Sequence, residues 1–396
     1  MNRNLSMLFL LNMAVSFSSQ LIQPLFPLYL KGLGVSEVGI GIAVAIGSIS
    51  ATALMLPSGM LADRLGRKRL LLIGVALSSA SPFLIVAVSD WRLTIPFYMM
   101  FCSSFSFFVT TRMTLVAESA TAENRARLFG LMNLAWPIGG ITAPYFSGLT
   151  IESFGWNTTF MLSGCIGIAS LIPTLLIREK RLKTLEEKAK SRMSPFIRDH
   201  IGLLALFFSF HVFETTGLGM VDLALPLLME DRFHLSYHLI GLFFTGANLV
   251  TLITQIPSGY LADRYGRRRL IIACISGIPI ALGLWLFMDD WVSMLILYVT
   301  AQGLWSMTWP ATLALLTDSV KPEVLGTAFG IRMTGVRLGF TVGPAVSGVI
   351  YGFLGHPAIF MTAALLYAAS IPLARLFKEA RVKTFDEPKP PRSPFN

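Results

Sequence analysis

Three ionisable side chains stand inside one apolar stretch of the chain, residues 200–229: His211, Glu214 and Asp222. At 100° per helical residue, His211 and Asp222 lie about 20° apart and Glu214 about 80° from Asp222, so the three share one broad face. An apolar medium favours the neutral form of a carboxylic acid, so Glu214, near the middle of the stretch, suits uptake and release of a proton. The alternative for Glu214 is a structural ion pair, for example with Arg337.

Three arginines also fall inside apolar stretches, namely Arg112, Arg332 and Arg337. Arg337 lies far enough from the end of its stretch to contact an anionic substrate group or one of the buried carboxylates. Arg332 points about 140° away from Arg337 and lies nearer the end, so we expect its head group to reach toward the polar surface. Arg112 is expected to belong to a gate beside Asp63 and Glu118.

Hydrogen-bonding and aromatic side chains lie at similar depth in other apolar stretches. We expect them to line one cavity with the ionisable groups. For the tryptophan, stacking on a flat substrate and ordinary packing remain open. These residues are Gln20, Gln23, Tyr98, Gln302 and Trp305.

The composition indicates that these stretches lie in a lipid bilayer. The chain is 54% hydrophobic and 14% charged, against about 25% charged residues in soluble domains, and its mean hydropathy is +0.65. The three cysteines lie in apolar runs without disulfide or metal-ligand spacing, so they are expected to be packing residues. We expect no metal and no cofactor.

A membrane-spanning helix needs about 20 mostly apolar residues. Twelve segments meet this requirement, which predicts an all-α membrane protein of twelve transmembrane helices. Spans 1 to 12 are predicted at roughly 5–30, 37–60, 70–89, 93–117, 127–150, 157–177, 200–229, 237–260, 270–288, 292–316, 327–351 and 358–376.

The basic residues are distributed unevenly between the two ends of the spans. Of the 32 Lys and Arg residues, 26 lie on the side of the two termini and three on the other side. This bias predicts an inner (plasma) membrane protein with both termini in the cytoplasm. Because the net charge of +10 sits in short loops, it indicates contact with lipid head groups and not with nucleic acid. Residues 178–199 are a predicted cytoplasmic linker, and 378–396 a predicted disordered tail.

The chain contains an internal repeat at an offset of 200 residues. PSGMLADRLGRKRL (57–70) matches PSGYLADRYGRRRL (257–270), and the matching continues through spans 5 and 11. Two copies of one six-helix unit, 1–177 and 200–377, predict two pseudo-symmetric bundles around a central cavity. Rocking of parallel repeats would expose that cavity to each side in turn. We expect a monomer.

The duplicated loop resembles the signature of the major facilitator superfamily, which carries it after spans 2 and 8. The resemblance implies that Asp63 meets the start of span 11, near Gly326, and that Asp263 meets the start of span 5, where helix dipoles favour a carboxylate. It implies that the glycines permit close helix approach and tight turns, and that the loops act as gates. The signature residues are Gly59, Asp63, Arg64, Gly66 and Arg67, then Gly259, Asp263, Arg264, Gly266 and Arg267.

A glycine and proline pattern in spans 5 and 11 resembles the signature of drug:proton antiporters of that superfamily. The alternative is ordinary close packing by small residues. The residues are Gly139, Pro144 and Gly148 in span 5, and Gly339, Gly343, Pro344 and Gly348 in span 11.

These features together predict a secondary active transporter that exports small amphipathic or drug-like molecules in exchange for protons. An uptake symporter or facilitator of a small polar or anionic solute is the alternative, favoured by Arg112 and Arg337. A membrane receptor or enzyme is more remote, because the sequence has no HExxH, GxSxG or nucleotide-binding loop.

Overall fold

A computed structural model describes residues 3–119, 125–177, 200–320 and 325–378, which form fourteen α-helices. The first half contains α1 (Arg3–Ile22), α2 (Phe26–Gly32), α3 (Glu37–Leu65), α4 (Arg67–Val86), α5 (Trp91–Ser119), α6 (Arg125–Gly140), α7 (Ala143–Ala169) and α8 (Leu171–Leu176). The second half contains α9 (Ile201–Phe233), α10 (Tyr237–Tyr265), α11 (Arg267–Trp285), α12 (Trp291–Ser319), α13 (Leu325–Leu354) and α14 (His356–Leu376).

The helices confirm the predicted spans. Helices α1 and α2 make span 1, and α3, α4 and α5 make spans 2 to 4. Helix α6 and α7 as far as Gly155 make span 5, the rest of α7 with α8 makes span 6, and α9 to α14 make spans 7 to 12. Ten segments of the described chain are long and apolar enough to cross a membrane. One of them, Gly130–Leu176, holds both spans 5 and 6, while span 10 is a further helix of 29 residues.

Glycines with positive φ mark equivalent turns in the two halves. Gly66 (φ 91°) and Gly266 (φ 95°) end spans 2 and 8, and Gly155 (φ 82°) and Gly355 (φ 75°) separate the last two spans of each half. A side chain is strained in this region of φ, so a glycine is the natural residue at each turn. Each pair is separated by 200 residues, as the repeat predicts.

The packing inside the two halves repeats as well. Nζ of Lys68 donates to the carbonyl oxygen of Leu175 over 2.6 Å. In the second half, Nη2 of Arg268 donates to the carbonyl oxygen of Arg375. Both residues of the second pair are displaced by 200 positions from the first, so the two halves have the same internal arrangement.

The halves meet where span 2 crosses span 11 and where span 5 crosses span 8. The first crossing is very close, because a Cβ on Gly41 would lie 2.6 Å from the carbonyl oxygen of Pro344 and 2.7 Å from Cα of Gly348. In the equivalent crossing, a Cβ on Gly241 would lie 3.0 Å from Cα of Tyr145. Both crossings lie at the face of the protein that we call the opposite face, since it is opposite the two termini.

At the terminal face, which carries Arg3 and Lys378, the same helices are apart. Gly59 lies 18 residues, or five turns, from Gly41, so it is on the same side of span 2 but about 27 Å away. A Cβ on Gly59 would have no heavy atom of the described residues within 4 Å, and the same holds for Gly259 and Gly330. The described parts of the two halves are therefore in close contact at the opposite face and separate toward the terminal face.

Candidate transport site

A buried polar cluster lies between spans 7, 10 and 11. Nδ1 of His211 contacts Oε1 of Glu214, and both side chains are 1% exposed. Nε of Arg332 donates to Nε2 of His211 over 2.8 Å. The same guanidinium donates to the hydroxyl of Thr312 over 3.2 Å and lies 4.2 Å from the ring centre of Trp309. Three ionisable groups, Glu214, His211 and Arg332, are thus connected by hydrogen bonds inside the second half.

The direction of these hydrogen bonds defines the protonation state of the imidazole. A guanidinium can only donate, so Nε2 of His211 must accept and carries no proton. The proton of the neutral ring is therefore on Nδ1, where it is donated to Glu214. The second carboxyl oxygen, Oε2 of Glu214, is buried without a hydrogen-bond partner among the described residues, which leaves it free to hold a proton.

The position of Arg332 corrects the expectation that its head group reaches the polar surface. Its side chain is buried, with 1% of the residue exposed, and it binds His211. The suggested pair between Glu214 and Arg337 is also absent among the described ion pairs, because the guanidinium of Arg337 is directed at the ring of Phe105 in the other half.

Asp222 forms a second cluster, closer to the opposite face. The hydroxyl of Tyr298 donates to Oδ1 of Asp222 over 3.2 Å, and Nε2 of Gln302 lies 3.4 Å from the same oxygen and 3.0 Å from the hydroxyl. Span 7 thus carries two separate carboxyl groups along one face. Beside the second lies a small cavity of about 10 Å³, room for about one water molecule, lined by Leu218, Val221, Tyr298, Gln302, Trp305 and Tyr367. Nε1 of Trp305 is buried without a hydrogen-bond partner in the described chain.

Arg337 reaches from the second half to the first. Its guanidinium lies 4.2 Å from the ring centre of Phe105 in span 4, and none of the described carboxylates forms an ion pair with it. Four residues, or about one turn, later along the helix, the hydroxyls of Thr341 and Thr52 meet across the halves at 3.2 Å. Arg112, predicted as a gate residue, is buried with its guanidinium 5.7 Å from the ring of Phe108.

Gln20, Gln23 and Tyr98, which were predicted to line one cavity, lie in three different surroundings. Gln20 lies beside Gly140 and Asn248, at the contact between the halves. Gln23 lines a small cavity of about 10 Å³ between spans 1, 3 and 4. Tyr98 is buried and stacks on Phe26 at 3.9 Å between ring centres, so it belongs to the core of its half.

The gating loops are partly described. Arg267 pairs with Asp318 and lies 3.7 Å from Asp263, and Arg64 and Arg264 are exposed. The helix at Gly326 is described, but the side chains of Asp63 and Glu118 and the surroundings of Gly326 are not, so the predicted contact of Asp63 stays a prediction. The close helix approach predicted at Gly59 and Gly259 is not present in this conformation.

The glycines of spans 5 and 11 fall into two groups. Gly139 and Gly339 pack inside their own halves, against the backbone of span 1 and span 7 respectively. Gly343 joins them, since its Cβ would lie 2.6 Å from the carbonyl oxygen of Thr216. By contrast, Pro144, Gly148, Pro344 and Gly348 lie at the crossings between the halves.

Ion pairs between the halves were not anticipated from the sequence. Nζ of Lys31, at the end of span 1, binds Oε2 of Glu230 over 2.7 Å and also binds Asp231. Nearby, Glu152 accepts from the backbone N–H of His238 over 3.0 Å and contacts its ring nitrogen at 2.7 Å. One signal was available, since Lys31 and Asp231 are equivalent positions of the repeat with opposite charges.

Reversing one charge should loosen the opposite face. Lys31→Glu removes the pair and places a third carboxylate beside Glu230 and Asp231. Because these side chains are about one-third exposed, we expect a shift of about 1 kcal/mol, or roughly fivefold. A cysteine at Thr341, in a background without the native cysteines, should react correspondingly faster with an impermeant reagent applied from the opposite face. The double variant Lys31→Glu with Asp231→Lys restores the attraction and should again protect the cysteine at Thr341 from the reagent. Equal labelling in the wild-type background, the single variant and the double variant would show that this ion pair does not hold the opposite face closed.

Two homologous six-helix halves that meet at one face and separate toward the other define a membrane transport protein built by duplication. The sequence profile of the Major Facilitator Superfamily matches residues 8–216 and 207–395, and the chain belongs to this superfamily.

Similar proteins include bacterial efflux pumps. The chain is 24% identical over 383 residues to the multi-drug resistance efflux pump PmrA of Streptococcus pneumoniae serotype 4, covering 91% of this chain and 92% of PmrA. It is 25% identical over 397 residues to the quinolone resistance protein NorA of Staphylococcus aureus strain COL, covering 97% and 98%. Among solved structures, a D-xylose-proton symporter matches with a TM-score of 0.80 at 15% identity, over 95% of this chain and 98% of the symporter. The human organic anion transporter MFSD10 matches with a TM-score of 0.72 at 16% identity, over 94% of this chain and 99% of MFSD10.

Proposed function

We propose that this protein exports small amphipathic molecules in exchange for protons, by exposing its central cavity to each face in turn. The observation that carries the proposal is Glu214, a carboxyl group buried in the middle of span 7 with one oxygen free of partners. Keeping an ionised carboxylate there is costly unless it is paired, so binding and loss of a proton change the energy of the site. Asp222 is a second candidate for the same role.

The excess of Lys and Arg on the terminal face supports a cytoplasmic location for that face and for both termini, in the inner membrane. The side on which the halves separate then faces the cytoplasm, where a substrate for export would enter. The similarity to PmrA, a multi-drug resistance efflux pump, and to NorA, a quinolone resistance protein, supports export. Substrate, protons and membrane lipid are the proposed partners, and one chain supplies both halves of the cavity.

The test is transport by the purified protein in liposomes with an imposed pH gradient. In some vesicles the protein is oriented with its opposite face toward the lumen. When that lumen is acidic, ethidium should accumulate inside these vesicles, and the accumulation should disappear when a protonophore is added. Empty liposomes measure the passive response of the dye to the same gradient. Equal dye distribution with and without the protein, at every gradient, would rule out proton-coupled export of this class of compound.

One observation favours a second candidate, transport of anionic solutes. Arg337 presents a guanidinium at the boundary of the two halves with an aromatic ring, Phe105, and no described carboxylate as its partner. Arginine matches carboxylate geometry and commonly fills this role.

If Arg337 binds substrate anions, Arg337→Gln should weaken binding of a carboxylate-bearing fluorescent compound by roughly ten- to hundredfold, since a charge-assisted hydrogen bond contributes about 1.5–3 kcal/mol. Binding of cationic ethidium should be unchanged or tighter. Fluorescence titration of both ligands measures the difference. Arg337→Lys keeps the charge and should lose less, and an equal loss for both ligands would indicate a packing role.

A further inference from the structure

Resting on the proposed proton coupling, we propose that His211 and Glu214 form one proton-binding unit, and that Arg332 competes with the proton for Nε2 of His211. In the present conformation the guanidinium occupies that nitrogen, so the imidazole is neutral. Once Arg332 moves away, Nε2 can bind a proton from water, and the resulting imidazolium forms an ion pair with ionised Glu214. Arg332 is thus a positioning residue that decides when this unit is charged.

The geometry of the unit supports competition. Nε of Arg332 lies 2.8 Å from Nε2 of His211, on the line where a proton would bind. The opposite ring nitrogen contacts Glu214 and keeps its own hydrogen in both states. Only one proton is exchanged, between Nε2 and the cavity, and no other bond changes.

The neighbouring elements supply few other charges to the unit. Span 7 contributes Glu214 and span 11 contributes Arg332. Span 10 contributes the uncharged Thr312 and the ring of Trp309, both on the guanidinium. Span 12 contributes the phenol of Tyr367, which interacts electrostatically with Glu214. Arg337 is directed toward Phe105 in the other half.

The position of Arg332 connects it to the movement of the halves. It lies two residues from Gly330, where an added Cβ would meet no atom of the described residues within 4 Å. Closing that face must press this part of span 11 against the other half, and Gly335 and Gly339, which follow it, favour local bending. Arg332 would then withdraw while the opposite face is open, so a proton is bound from outside and displaced into the cytoplasm when the arginine returns.

The test reads the protonation of His211 directly. The protein carries ring-labelled ¹⁵N-histidine in lipid nanodiscs, and Lys31→Cys with Asp231→Cys, joined by a thiol crosslinker in a background without native cysteines, holds the opposite face closed. His211→Gln identifies which of the five histidine signals belongs to His211. We expect a neutral ring with hydrogen on Nδ1 down to about pH 5, where a free imidazole of pKa ~6.5 is more than about nine-tenths protonated.

Substitution of the arginine should release the ring. In crosslinked Arg332→Met, His211 should titrate and lose the neutral signal, while Arg332→Lys, which keeps a cation that only donates, should retain it. A wild-type His211 that protonates normally in the crosslinked state overturns the proposal, and so does a folded Arg332→Met variant whose ring stays neutral. If Arg332→Met does not fold, a second crosslinked protein decides. Cysteines at Leu65 and Tyr265, in a protein that keeps Arg332, hold the terminal face closed, and His211 must then titrate; a His211 that stays neutral overturns the proposal.

These readings do not require transport. Failure of the liposome assay with a neutral, arginine-bound His211 would reject the proposed function alone. Normal proton-driven export with a freely titrating His211 would reject the competition alone.

Discussion

Glu214→Gln should abolish accumulation of substrate against its gradient while leaving equilibration intact. The amide has nearly the shape of the protonated acid, and it can still accept the hydrogen bond from His211 through its oxygen. It cannot carry a negative charge, so it can neither exchange a proton nor stabilise a positively charged His211. A transporter with this change should still carry substrate down its gradient, because the two conformations remain accessible.

The size of the loss follows from the gradient. With one proton per substrate, one pH unit supports at most about tenfold accumulation, equivalent to about 1.4 kcal/mol. In liposomes the variant should fall from that limit to the ratio seen without a gradient. Substrate counterflow, which needs no protons, should remain and shows that the variant is folded. Asp222→Asn is the matched control, and a gradient response like that of the wild type in Glu214→Gln would make Asp222 the next candidate.

Much of the fold could be predicted because three independent patterns in the sequence agree. Apolar segments of about 20 residues define the spans, the Lys and Arg bias orders their ends, and the offset of 200 relates the two copies. The turns at Gly66 and Gly266 follow from the same repeat. Hydropathy alone is less informative, since spans 5 and 6 form one 47-residue segment that is divided by the backbone of Gly155.

The site was predictable only in its residue types. Helical angles place His211, Glu214 and Asp222 on one face of span 7, and all three do make polar contacts there. The same angles separate Arg332 from Arg337 by about 140°, but an angle does not say which helix lies in that direction. Span 7 packs beside Arg332, while Arg337 is directed at span 4, and this assignment depends on how the spans are arranged.

Which of the two faces is closed could not be predicted either, because span 2 has glycines that permit close helix contact near both faces. Gly41 and Gly59 are on one side of span 2, five turns apart, and a sequence pattern holds no information on which of them is in contact. The structure shows contact at Gly41 and open space at Gly59. Lys31 and Asp231 give a charge preference for the closed opposite face, but exposed ion pairs contribute at most about 1 kcal/mol.

This difference leads to a paired prediction on span 2. Gly41→Ala and Gly59→Ala should shift the protein in opposite directions. Alanine favours the helix over glycine by about 0.5–1 kcal/mol in both conformations, so that term cancels between them. At Gly41 the new Cβ would overlap the backbone of Pro344 and Gly348 while the opposite face is closed. At Gly59 it meets nothing now, but it would meet span 11 when the terminal face closes.

Overpacking against backbone costs about 1–3 kcal/mol, which changes a two-state population roughly five- to hundredfold. Spin labels at Leu65 and Tyr265 report the terminal face, and labels at Phe154 and Leu354 report the opposite face. Gly41→Ala should shorten the first distance and lengthen the second, whereas Gly59→Ala should keep the terminal face open even after substrate is added. Either variant should slow transport, because each disfavours one of the two conformations. Identical distance distributions in the two variants would mean that the crossing glycines do not control which face is open.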